Sequence, residues 1–232
     1  MIVTDAVELQ KRRRAYTRFL IQQIIVFFTG AVFMNMATQS QFGMKLEVIG
    51  PIHFLMVLIL NVTIYLLLSR FFSKWYKIGF AALIILTHTI QILLVVVKVE
   101  FSNPDFYFQL SQAMLFTTLA ITLITVTKDI FMHAHDTVYS LLGAANIYIG
   151  TPILFATVYS ILESMEPGLL GISYNDSGEM FFQAYHYSWY VVTGLENPIA
   201  ENVNSTILNI AAFESALANL FIIFVVGKLM SK

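Results

Sequence analysis

The chain contains no cysteine, so disulfide cross-links and thiolate chemistry are closed to it. Charge is almost as scarce. Asp, Glu, Lys and Arg together make 12% of the 232 residues, about half of what a soluble domain carries. Also missing are a Gly-x-Ser-x-Gly elbow, a zinc-ligand pattern and a phosphate-binding loop. No catalytic residue, metal or cofactor is therefore assigned, an enzyme is not expected, and no nucleic-acid partner is expected at a net charge of -1. Internal repeats and low-complexity tracts are absent as well.

What the chain has is apolar length. It is 58% hydrophobic, with 20 Phe and 11 Tyr, and several runs reach the roughly 20 apolar residues that cross a bilayer. The expectation is an all-α polytopic membrane protein in contact with lipid. Six transmembrane helices are expected at about 19–37, 52–72, 76–98, 108–127, 138–162 and 206–230. The first is read as an uncleaved anchor, because its core is long for a signal peptide and further spans follow. Residues 1–18 form a cytoplasmic segment, 19–132 a peripheral four-helix domain, and 133–232 a pore domain.

Between the fifth and sixth spans lies a stretch of another kind. A polar turn (Asn175, Asp176, Ser177, Gly178) leads into an aromatic segment over about 178–192, too short and polar to cross. It stops at Thr193-Gly194-Leu195-Glu196-Asn197-Pro198. A short helix, a turn and an extended exit before a full span is the layout of a re-entrant loop, in which non-helical backbone lines water or is buried in protein. Charge placement agrees with this. With the aromatic segment not crossing, every basic residue except Lys45 and Lys98 falls on the side of the Lys11–Arg14 cluster, so both termini are expected in the cytoplasm. Glu47, Glu100, Asp105, Glu163, Glu166, Asp176, Glu179, Glu196 and Glu201 all fall outside, five of them flanking the loop, where they would attract cations.

Tyr187-Ser188-Trp189-Tyr190, Thr193-Gly194, Pro198 and the Glu214 helix resemble the bacterial potassium-channel-like pore-loop family. Members carry a Tyr-Phe-Ser type pore helix, a Thr-x-Gly-Tyr-Gly-Asp filter and an inner helix with a glutamate. The likeness covers about 138–230 and implies a homotetrameric cation channel in a bacterial inner membrane. Thr193, Gly194, Leu195, Glu196 and Asn197 would then form the ion pathway, supported by Ser188, Trp189, Tyr190, Glu214 and Asn219. The second filter glycine is absent and Leu195 replaces the aromatic, so strict potassium selectivity is not expected. Four copies of Glu196 would instead make a carboxylate ring. Sodium, calcium or non-selective conduction is the first expectation. A potassium channel despite the altered filter, a non-conducting partner subunit and a transporter are the alternatives.

Individual polar residues complete the reading. Glu214, two turns into the sixth span, is expected to hydrogen-bond behind the filter to Trp189 or Tyr190, because a buried acid needs donors. Candidates for gating are Gly227, Pro152 inside the fifth span, and His133 and His135 on the link before it. The fourth span has no basic residue before Lys128, so voltage sensing through that helix is not expected. No regulatory module follows Lys232 in this sequence, and gating by an attached ligand-binding domain is not expected either.

Overall fold

A computed structural model describes residues 7, 9–25, 58–66, 73–93, 103–132, 137–172, 174, 177–195 and 203–230. Those residues form helices and turns with no strand among them. In order the helices are α1 (9–25), α2 (58–66), α3 (Lys74–Gln91), α4 (Pro104–Met132), α5 (Thr137–Met165), α6 (Ser177–Thr193) and α7 (Ser205–Met230).

Local chemistry accounts for several of the helix ends. Asn103 accepts the Phe106 amide on its Oδ1 at 3.1 Å, and Pro104 follows as the first helical residue, where its missing N–H costs nothing. Asn204 does the same for α7, accepting the Thr206 amide at 2.8 Å. α6 stops at Gly194, whose φ of +68° lies in the left-handed region that ends helices and favours glycine.

Among the described residues three helices are long and apolar enough to cross a membrane: α4, α5 and α7. At 1.5 Å per residue α4 and α5 are about 43 Å long and α7 about 39 Å, against a hydrocarbon core of about 30 Å. α6, with 17 residues, reaches only about 25 Å. α4 carries several threonines without loss, because each hydroxyl bonds a carbonyl of its own helix. Thr117, Thr118, Thr122 and Thr125 all bond back four residues at 2.7–2.9 Å.

α5 is the axis of the packing. One apolar cluster joins it to α1–α4 and α6 through Tyr16, Phe80, Leu119, Ile130, Tyr139, Ile147 and Phe181. A second joins it to α6, α7 and the 166–172 turn through Tyr159, Leu170, Ala184, Tyr187 and Ile207. Close approach of α4 and α5 depends on Gly143 and Gly150, two turns apart on one face of α5. A Cβ built at Gly143 would come within 2.5 Å of Ile130, and one at Gly150 within 2.9 Å of Leu123.

Polar contacts pin α1 to the same unit. Arg12 and Tyr16 both donate to Asp129 near the end of α4, at 2.6 and 2.8 Å. Asn146 of α5 donates to the Tyr16 carbonyl at 3.1 Å. His88, in the last turn of α3, is buried and pairs with Asn61 of α2 at 3.0 Å, as a packing residue.

Candidate functional site

The region singled out in the sequence is built from α5, α6, α7 and the turn between α5 and α6. The turn is folded around Glu163. Its buried carboxylate accepts the amides of Gly168 at 2.7 Å and Leu170 at 2.8 Å, so the carboxylate caps a loop that would otherwise leave those donors unpaired. Gly168 has φ +97°, a conformation that few residues other than glycine adopt. Burial pushes the Tyr174 phenol above its ordinary value, and the Glu163 carboxylate adds to the shift by charge and hydrogen bond. Tyr174 therefore stays neutral.

The turn also receives α7. Asn204 donates its amide to the Leu169 carbonyl at 2.9 Å, which fixes the start of α7 beside the end of α5. α6 leaves from the same turn. Tyr187 packs edge-on against Tyr159 in the last two turns of α5, with centroids 5.0 Å apart, and Trp189 meets Tyr148 in the first half of α5 at 6.3 Å.

At the meeting point of the three helices sits Glu214. It has no exposed surface, and it accepts hydrogen bonds from Tyr159 Oη of α5 at 2.7 Å and from Ser188 Oγ of α6. One carboxyl group thus ties α7 to both partners through two hydrogen bonds. The donors differ from the Trp189 or Tyr190 expected from the sequence. Trp189 instead lies edge-on to Tyr148 and Tyr185, on another face of α6. Ser188 is the α6 residue that points at α7, because Ala184, Tyr187 and Ser188 share the buried face.

The remaining candidates fall into place around this knot. Thr193, the last residue of α6, bonds its hydroxyl to the Trp189 carbonyl at 2.7 Å. Gly194 turns the chain, and Leu195 stands exposed. Glu196, Asn197, His133 and His135 lie outside the described residues. Tyr190 is half-buried. Asn219 is exposed on α7, with Ser215 as a neighbour at 3.4 Å. Pro152 is buried within α5, which stays helical through it. Gly227 is exposed on α7, with open space around it.

Tyr159 was not among the candidates read from the sequence, and Glu163, expected as one of the outer acids that attract cations, is instead buried within the turn. The signal was present, since two polar-tipped residues four apart in an apolar helix share a face and need partners. Among the described residues no cluster of three or more His, Asp or Glu could hold a metal ion. Chemically, the site offers the carbonyl end of α6, with its partial negative charge, to whatever occupies the space beyond Gly194. Comparison with protein-family models, with curated proteins and with solved structures finds no match in any of the three.

Proposed function

We propose that the chain is the subunit of a tetrameric pore-loop cation channel of a bacterial inner membrane, with six spans, both termini in the cytoplasm and residues 193–198 as the ion pathway. The observation that carries this reading is the path from α5 to α7. α6 follows the turn that ends α5, packs against α5 over less than a membrane thickness, and is followed by a helix that starts at that same turn. Only nine residues, 194–202, separate the end of α6 from Val203. A helix that enters and a chain that leaves on one side support a re-entrant loop.

Two further features favour a pore over a plain bundle. Asn219 sits exposed near the middle of the apolar α7 and donates only a long bond to Ser215 Oγ at 3.4 Å, so water or a neighbouring chain would complete its hydrogen bonding. The C-terminal end of α6 favours a cation at the loop, by the same dipole argument that places cations at helix C-termini elsewhere. Glu196, two residues past Gly194, supplies the carboxylate for a ring of four in such an assembly. Opening lacks steep voltage dependence, since α4 carries no basic residue before Lys128 and one charge through 100 mV is worth about 2.3 kcal/mol.

The test is cation flux through the purified protein in liposomes. Wild-type protein conducts, and Glu196→Gln lowers the flux and weakens block by external divalent ions, because four carboxylates brought together favour a bound divalent ion or a shared proton. Absence of flux from a correctly assembled tetramer refutes conduction. Unchanged flux and divalent block in Glu196→Gln refutes the carboxylate ring.

A further inference from the structure

Far from the α5–α7 site, α3 and α4 leave an open groove of about 590 Å³. It is lined by Trp75, Tyr76, Gly79, Phe80, Leu83 and Ile121, with no charged side chain among them. The groove floor is deepened by Gly79, where a Cβ would meet nothing within 4 Å. Trp75 and Tyr76 are 80% and 70% exposed at one end, which is how amphipathic aromatic rings sit at a membrane–water boundary.

Charge gathers at that same end. Lys74 is exposed and Lys77 half-buried, three residues apart on α3. On α4, Lys128 is exposed and lies seven residues beyond Ile121, on the same face two turns on. Whether Lys128 joins the α3 lysines depends on the direction of α4. Phe80 and Ile121 line one groove and so lie level. If the helices ran parallel, residue 93 would stand about 45 Å from Asn103, whereas the ten-residue step between them spans at most about 36 Å. The helices are therefore antiparallel, and Lys74 lies level with the Lys128 turn. Asp129, the acid next door, is buried on the other side of α4 and accepts from Arg12 and Tyr16. Among the described residues, Asp129 is thus engaged with α1 rather than with the groove.

We propose that this groove is a binding site for an anionic phospholipid, with one acyl chain along Gly79, Phe80, Leu83 and Ile121 and the headgroup phosphate held by Lys74, Lys77 and Lys128. The apolar lining suits hydrocarbon, the aromatic pair suits the interface, and three cations at the mouth select a negative headgroup. The site requires membrane placement alone. It stands whether or not the protein conducts.

The test uses Trp75 itself as the reporter, since the chain has two tryptophans. In a Trp189→Phe background, phospholipids brominated on the acyl chain are titrated into the reconstituted protein and Trp75 emission is followed. Brominated phosphatidylglycerol is expected to quench half-maximally at a much lower mole fraction than brominated phosphatidylcholine, roughly fivefold lower per lysine engaged. The Lys74→Gln, Lys77→Gln, Lys128→Gln triple variant loses that preference. Gly79→Leu, which fills the groove and adds a better helix former, reduces quenching by both lipids. Native mass spectrometry of the protein with both tryptophans checks the result independently of the Trp189 change. Wild type retains phosphatidylglycerol through mild detergent and Gly79→Leu does not. Equal quenching by the two headgroups, or Gly79→Leu behaving as wild type in either measurement, overturns the proposal.

Discussion

Glu214 concentrates the polar chemistry of this chain in one side chain. Taking a carboxylate fully out of water is costly, and the cost is met only while its lone pairs are occupied by donors. Tyr159 and Ser188 supply those donors from two other helices. Tyr159→Phe removes one donor while keeping the ring stacked on Tyr187, so it isolates the hydrogen bond from the packing. The expected loss is about 1–3 kcal/mol, the range for leaving a buried polar group without its partner. Ser188→Ala should cost a similar amount, and the double variant more than the sum, because it leaves the carboxylate without either donor. Thermal unfolding in detergent measures all three. Additive losses would mean that Glu214 finds another donor. The sequence announced that Glu214 needed partners, but Tyr159 precedes it by 55 residues, and nothing local connects the two.

At the scale of the helices, glycine has two different jobs that sequence alone does not separate. Gly143 and Gly150 sit where α5 presses on α4, and Ile130 and Leu123 fill the space a side chain would take. Gly227 looks the same on paper, an isolated glycine in an apolar helix, yet nothing approaches it within 4 Å. Gly143→Ala is therefore expected to lose about 1–3 kcal/mol to overpacking, offset only in part by up to about 1 kcal/mol of helix propensity. Gly227→Ala keeps the propensity gain with no clash and should be neutral or stabilising. Melting temperatures of the two variants, measured side by side, decide the matter. Equal shifts would show that the α4–α5 contact is looser than described. If Gly227 is a hinge, its alanine variant changes opening in the flux assay without lowering the melting temperature.

For the whole molecule, burial is distributed unevenly. In the most apolar window of α5, 61% of residues are buried within the subunit, against 22% in α7. Phe213, Leu217, Leu220 and Phe224 recur at helical spacing on α7, and all four are exposed. Lipid alone could cover such a face, but it could not satisfy the Asn219 groups left over from the Ser215 bond. The proposed tetramer brings four α7 helices together around water and gives Asn219 a polar surrounding. The protein should accordingly purify in mild detergent as a tetramer with α7 nearest the symmetry axis. Single-particle images of a monomer or dimer would remove the basis for a shared pore.

The sequence by itself determined the apolar, helical character of this chain and roughly where its last three helices begin and end. Those features are local. Apolar length, the Asn103-Pro104 start, the Asn204 cap and the Gly194 stop each act within a few residues, and the expected bounds of the last three helices, 138–162, 178–192 and 206–230, lie within a few residues of Thr137–Met165, Ser177–Thr193 and Ser205–Met230. Tertiary structure decided which faces meet. α4, α5 and α7 are apolar nearly all round, as a lipid-facing helix can be, so no polar stripe marks the side that packs inward. Their rotations are set by packing, through Gly143 and Gly150 against α4 and by the Glu163-capped turn that receives Asn204. From those rotations follow the choice of Ser188 over Trp189 as the Glu214 donor, the return of the chain to the end of α5, and the groove beside Gly79. Each joins residues distant in sequence, and only the packed helices bring them within reach.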